Sequence, residues 1–216
     1  MTGDDTAPAP PAATASTPAA APWVLPVTLT GQRVRLEPLA LEHVDDLAAA
    51  GGDPAIWALT IARPTDRAGI EAWVRTALRG AAAGTEVPFA TIDLESGRAV
   101  GSTRFLTIVP EHRRLEIGWT WLGVAHQRSG ANREAKLLQL THAFEDLGAN
   151  RVEFKTDARN EKSRTALLGI GATFEGIFRS HMIMPTGPLR DSAYYSVVAT
   201  EWPAVKAGLQ ERLRDR

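Results

Sequence analysis

Hydrophobic residues fall at two spacings along this chain, and the changes between them mark out the elements. Residues 32–37, QRVRLE, alternate polar and apolar, the period of a half-buried strand. The run 39–53 is helical in pattern, and Gly51-Gly52 predicts its stop. Over 66–83, Ile70, Trp73, Val74 and Leu78 share one helical stripe, with Asp66 as N-cap and Gly84 as stop. Three strands follow at 87–94, 99–109 and 113–122. The short turn sequences ESGR and PEHR join them, which predicts an antiparallel meander. In the third strand, Leu115, Ile117, Trp119 and Trp121 are expected on one face. Arg114, Glu116, Gly118 and Thr120 are expected on the other. The longest helix pattern, 131–147, spaces Leu137, Leu140, Phe144 and Leu147 helically before Gly148. A strand at 151–157, a helix at 160–172, strands at 173–184 and 192–200, and a helix at 201–213 complete the chain, with Pro203 in the last helix's first turn. The fold class is therefore α+β: a mixed sheet with helices on both faces.

Composition narrows this picture. Residues 1–26 hold six of the fourteen prolines and no Lys or Arg. Such a segment has little to bury, so a disordered or loosely packed tail is expected over 1–26, with one compact domain over 27–216. Its acidic start, Asp4-Asp5, is wrong for a signal peptide. No uncharged run is long enough for a bilayer, so no membrane partner is expected and a cytoplasmic location is the default. With no cysteine, disulfides, thiol catalysis and Cys-ligated metals are excluded. The five histidines show no ligand clustering, and no metal is expected. A formal net charge of −1 gives no reason to expect nucleic acid. Glu111-His112 and Arg113-Arg114 read as a solvated turn, and Trp73, Trp119 and Trp121 as core.

One loop asks for more than a turn. HQRSGANRE, 126–134, separates a Trp-rich strand from the long helix. A helix N-terminus exposes unpaired N–H groups and partial positive charge. Gly130, without a Cβ, admits close approach of an anion; Arg128 and Arg133 add charge, and Gln127 and Asn132 add donors. The alternative is a plain strand–helix turn with a flexible glycine. A Walker loop is absent. The glycines of GIGATFEG (169–176) follow a helix and precede a strand, the reverse of a dinucleotide fingerprint, and are assigned to a helix cap and turn.

At QRSGAN (127–132) the chain resembles the GNAT superfamily of acyl-CoA-dependent N-acetyltransferases, most closely its RimJ/RimL-type branch. The loop is similar to the family's Q/R-x-x-G-x-G/A motif and departs from it at Asn132. Residues 157–176 and RLEIGWTWL resemble two further family segments in the right order, and the likeness covers roughly 28–200. The resemblance implies a sheet splayed between the fourth and fifth strands (113–122 and 151–157), with acetyl-CoA in the resulting V. Backbone around Leu122, Gly123 and Val124 would hold the pantetheine arm and supply an oxyanion donor. Loop residues Gln127, Arg128, Ser129, Gly130, Ala131 and Asn132 would take the pyrophosphate, and Asn160 would contact the arm from the other side.

Acetyl transfer to an amine needs a proton acceptor and a proton for the departing thiolate. Glu116, on the polar face of the central strand, is the candidate base, against a reading as an ordinary paired carboxylate. Ser163 is the candidate donor to sulfur by resemblance, against an ordinary first-turn serine. Neither Tyr194 nor Tyr195 falls where the family's donor tyrosine lies. Trp57 is a candidate wall of the substrate pocket. The expected partners are acetyl-CoA and an amine acceptor, a protein N-terminus or a small molecule. Nothing chooses between monomer and homodimer. A non-catalytic acyl-CoA-binding or interaction module on the same fold is the competing reading.

Overall fold

The computed structural model describes residues 22–64 and 66–214. Most of the expected tail lies outside these residues. Its last part is packed: Val24 is buried, and Trp23 Nε1 donates to the Leu147 carbonyl at 3.0 Å.

The strands are β1 (Leu29–Thr30), β2 (Val34–Pro38), β3 (Val87–Asp93), β4 (Ala99–Val109), β5 (Arg114–Leu122), β6 (Arg151–Asp157), β7 (Thr173–Ile183) and β8 (Leu189–Val198). They form one open sheet in the order β1-β2-β3-β4-β5-β6-β8-β7. Among the described residues, only β5 and β6 run parallel. The helices are α1 (Val44–Ala50), α2 (Arg67–Ala82), α3 (Ala131–Thr141), α4 (Glu161–Gly169) and α5 (Trp202–Arg214). Asp66 caps α2 through Gly69 N at 2.7 Å, as the sequence predicts. The helix expected over 131–147 is α3 followed by one π turn, His142–Asp146.

Two apolar cores hold the layers together. On one face α1 and α2 pack Leu47, Trp73 and Val74 against Ala90, Ile92 and Trp121. On the other, α3, α4 and α5 bring Leu140, Leu167 and Leu209 against Leu36, Phe105, Ile117, Phe154 and Tyr195. Burial of this apolar area is the main stabilising term.

The simple alternation expected for 113–122 breaks within β5. Ile117 packs on the α3 face, whereas Trp121 lies on the α1/α2 face with Trp57 and Trp73. Four residues apart, they would share a face in a regular strand. A bulge intervenes: Arg104 pairs with Gly118 and Ser102 with Trp121, so Thr103 alone faces Trp119 and Thr120. Trp119 has φ 51°. The extra residue flips every later side chain. Trp119 is half-buried, while Trp73 and Trp121 are core as expected.

A second long-range tie fixes α3. Glu134, buried in its first turns, accepts backbone N–H groups of Gln32, Arg33 and Val34 at 2.9, 2.7 and 2.8 Å. A Cβ at Gly31 would come within 2.5 Å of this side chain, which is why glycine stands there. Glu134→Ala leaves three donors without their acceptor and should lower unfolding free energy by about 3 kcal/mol or more, measured by urea denaturation.

Candidate active site

The ladder between β5 and β6 has three pairs: Arg114–Arg151, Leu115–Val152 and Glu116–Glu153. Beyond Glu116 and Glu153 the strands part. Leu122, Gly123 and the loop to α3 lie at the open end. Gly123 is required there, because a Cβ would come within 2.9 Å of the Ala50 carbonyl. Its N–H donates to Val100 O at 2.8 Å, so this amide is not free to act as an oxyanion donor. Leu122 O accepts from Gln127 Nε2 at 2.9 Å, and Val124 is exposed.

The loop enters α3 through two left-handed residues, Arg128 (φ 63°) and Gly130 (φ 94°). Gly130 is the N-cap and offers no side chain to the first-turn N–H groups. Ser129 Oγ accepts from Ala131 N at 3.3 Å and donates to His126 O at 2.7 Å. Asn132 Oδ1 is enclosed without a partner; turning the amide would put a donor there. The positive φ at Gly130 means that a β-branched residue strains the loop whatever it does to a ligand. Two residues that the sequence reading passed over reach this loop. Arg33 Nη1 lies 3.5 Å from Ser129 O, and Lys162 of α4 donates to Gln127 Oε1.

Asn160 caps α4: its Oδ1 accepts from Ser163 N at 3.0 Å. Ser163 is half-buried. Helix α4 packs on the α3 face, whereas Glu116 belongs to the opposite face, so a ligand threaded through the V is what would contact both.

On that opposite face a cleft of about 400 Å³ is lined by Thr107, Glu116, Glu153, Lys155, Phe178 and Tyr194, among others. Glu116 is 4% exposed. Its Oε2 accepts from Lys155 Nζ and Thr107 Oγ1, both at 3.3 Å. Burial holds the Glu116 carboxyl above the usual carboxylate range, against the pull of the Lys155 ammonium. A Cβ on Gly118 would lie 3.1 Å from Oε1, so glycine leaves that oxygen room. Arg114, expected on the polar face of the strand, starts β5, and its Nη1 lies 3.4 Å from Glu153 in this cleft. Tyr194 also lines it. Burial pushes its phenol up, and its hydroxyl lies 3.3 Å from His181 Nε2. Tyr195 is in the core, where its hydroxyl accepts from Arg164 Nε at 3.0 Å. Trp57 is 4% exposed, packed on Trp121 at 4.9 Å, and donates from Nε1 to Gly51 O at 2.8 Å. The period-two face of RVEFKTD carries Glu153 and Lys155, a signal from which both were readable.

Such a parted parallel pair beside an uncapped helix start is the arrangement that the resemblance implies. The family model described as acetyltransferase (GNAT) domain matches residues 33–173. The chain belongs to the GNAT acetyltransferases. A crystal structure of a GCN5-related N-acetyltransferase from Brucella melitensis is 34% identical, with a TM-score of 0.83, over 89% of this chain and 87% of that one. "Putative ribosomal N-acetyltransferase YdaF" of Bacillus subtilis (strain 168) is 32% identical over 113 residues, 52% of this chain and 61% of that relative. The match therefore spans about three-fifths of this curated relative's length. Mycobacterium smegmatis RimJ, solved in complex with CoA-disulfide, shares the fold at 19% identity, with a TM-score of 0.73 over 87% of this chain and 95% of that one. These relatives agree with the RimJ/RimL-type branch. Among the described residues no group of three or more His, Asp or Glu is placed to hold a metal, and no helix is long and apolar enough to cross a membrane.

One buried group in this region titrates far from its usual range. Burial pushes the Lys136 ammonium down to about 7. The unfolded chain lets this lysine keep its proton up to the usual lysine range, so between the two values it binds more protons than the folded protein. Stability from this group therefore rises with pH across that window and is lost as pH falls through about 7. The gain in thermal midpoint between about pH 6.5 and about pH 9.5 should be smaller in Lys136→Met than in wild type.

Proposed function

We propose that this GNAT protein transfers an acetyl group from acetyl-CoA to a primary amine, of a protein N-terminus or a small molecule, by direct attack on the thioester. The observation that carries this reading is the parting of β5 and β6 immediately past Glu116, with the loop into α3 at the open end and a buried carboxylate on the cleft side. The cofactor's pyrophosphate would rest on the loop amides of Arg128 to Asn132, with Gln127 beside them. Its pantetheine arm would run along Leu122 to Val124, with Asn160 on the far side.

The acceptor amine would enter from the cleft; Trp57, expected as a pocket wall, is instead buried in the α1/α2 core with Trp121 and does not line that cleft. Glu116 takes a proton from the amine, directly or through water. The nitrogen forms its bond to the carbonyl carbon, the carbon–sulfur bond breaks, and the thiolate takes a proton from Ser163 or water. Burial raises the Glu116 carboxyl above the usual carboxylate range, which favours it as a proton acceptor, and the Lys155 ammonium opposes that rise. The name of the B. subtilis relative favours a protein N-terminus as acceptor.

Three outcomes test the reading. Glu116→Gln should lower kcat by about 100-fold or more while acetyl-CoA affinity by calorimetry stays nearly unchanged; an unchanged kcat removes Glu116 from the mechanism. The acid limb of kcat/KM should lie above the ordinary carboxylate range, and Lys155→Met should move it higher still, because it removes the cation that favours the charged form. Gly130→Asp should weaken acetyl-CoA binding by about tenfold, and Gly130→Asn by less. Both residues tolerate a left-handed backbone, but only Asp repels phosphate. Binding without turnover over a wide acceptor panel would leave the non-catalytic module.

A further inference from the structure

The bulge in β5 has a lock of its own. Lys136, in the second turn of α3, is 4% exposed, and its ammonium points at the sheet under the bulge. It donates to Thr103 Oγ1 at 3.0 Å, Thr120 Oγ1 at 2.8 Å and Gln139 Oε1 at 2.8 Å. Thr103 and Thr120 also bond each other at 2.8 Å, and Thr103 donates to Gln139 Oε1 at 3.2 Å. Thr103 is the single β4 residue facing the doubled pair Trp119–Thr120. The cluster thus spans α3, β4 and β5 at the residue that the bulge inserts.

Holding that residue has a cost. Trp119 at φ 51° is a bulky side chain in a sparsely populated backbone region, and such strain persists only where the surroundings over-determine it. Three contacts of the buried Lys136 Nζ, to Thr103, Thr120 and Gln139, supply that determination. Together with Leu122, which the bulge turns into the α3-side core, these contacts distinguish the bulge from a regular strand in which residues 120–122 slip by one position and face the other way.

We propose that the Lys136–Thr103–Thr120–Gln139 cluster sets the β5 bulge and so the position of Leu122 to Val124, making Lys136 a positioning residue for acetyl-CoA. This rests on the V between β5 and β6 as the cofactor site. Lys136 also lies on the helix that begins at the pyrophosphate loop, so one side chain ties the loop's helix to the strand carrying the pantetheine contacts.

The test compares wild type, Lys136→Met, Thr120→Val and the double variant. It measures acetyl-CoA affinity by calorimetry, and kcat and acceptor KM by steady-state kinetics. Lys136→Met should weaken acetyl-CoA binding about tenfold and lower kcat by a further factor of about ten, with acceptor KM within about twofold. Thr120→Val should do the same to a smaller degree, and the double variant should be no worse than Lys136→Met alone. If Lys136→Met does not fold, Thr120→Val carries the kinetic comparison. A role in packing alone predicts a lower thermal midpoint with wild-type constants for the folded enzyme; that result, or additive effects of the two changes, overturns the proposal. If wild type binds no acetyl-CoA, the functional reading falls on its own, and the lock is then judged from a crystal structure of Thr120→Val. A retained bulge with unmoved Leu122 to Val124 overturns it.

Discussion

Three residue pairs join the two halves of this sheet. Arg114–Arg151, Leu115–Val152 and Glu116–Glu153 form the whole ladder between the β1–β5 half and the β6–β8–β7 half. Everything proposed about chemistry follows from where that ladder ends. Backbone groups past Glu116 lose a strand partner, and unpaired amides and carbonyls at a sheet opening are binding groups for an extended ligand. The first turn of α3 stands at the same opening, so the proposed acyl carrier, extended and with an anionic end, would meet both.

The electrostatics of the cleft side depend on the same geometry. Because the ladder stops at Glu116, its side chain sits at the apex of the V instead of beneath another strand's row. It is buried enough to stay basic, yet held by Lys155 and Thr107. The other charges of the cleft are paired among themselves: Arg114 with Glu153, and Arg151 with Glu153 and Glu175. Glu116 Oε1 lies above Gly118, where the missing Cβ leaves it room.

Much of the fold was readable because it is written in local periodicity. The stripe Ile70, Trp73, Val74 and the strand RVEFKTD were assigned from spacing, and both stand where expected. The bulge was not readable, since Trp119 and Thr120 look like regular alternation; only the count of residues on β4 against β5 reveals it. Of the candidate site, Glu116 is proposed from its position in a strand and the loop from a motif. Arg33 and Tyr194 reach it from elements far off in sequence, and Lys136 is a charged residue at a buried helix position, which the apolar pattern does not mark. Their spacing carries no local signal.

The central claim is that an acyl carrier occupies the opening past Glu116. Amide hydrogen exchange, followed with and without saturating acetyl-CoA, tests it most directly. The account predicts new protection confined to residues 120–124, the loop 128–132 and the end of β6 at 154–157. Protection centred elsewhere, or none under conditions where binding is measured independently, would contradict it.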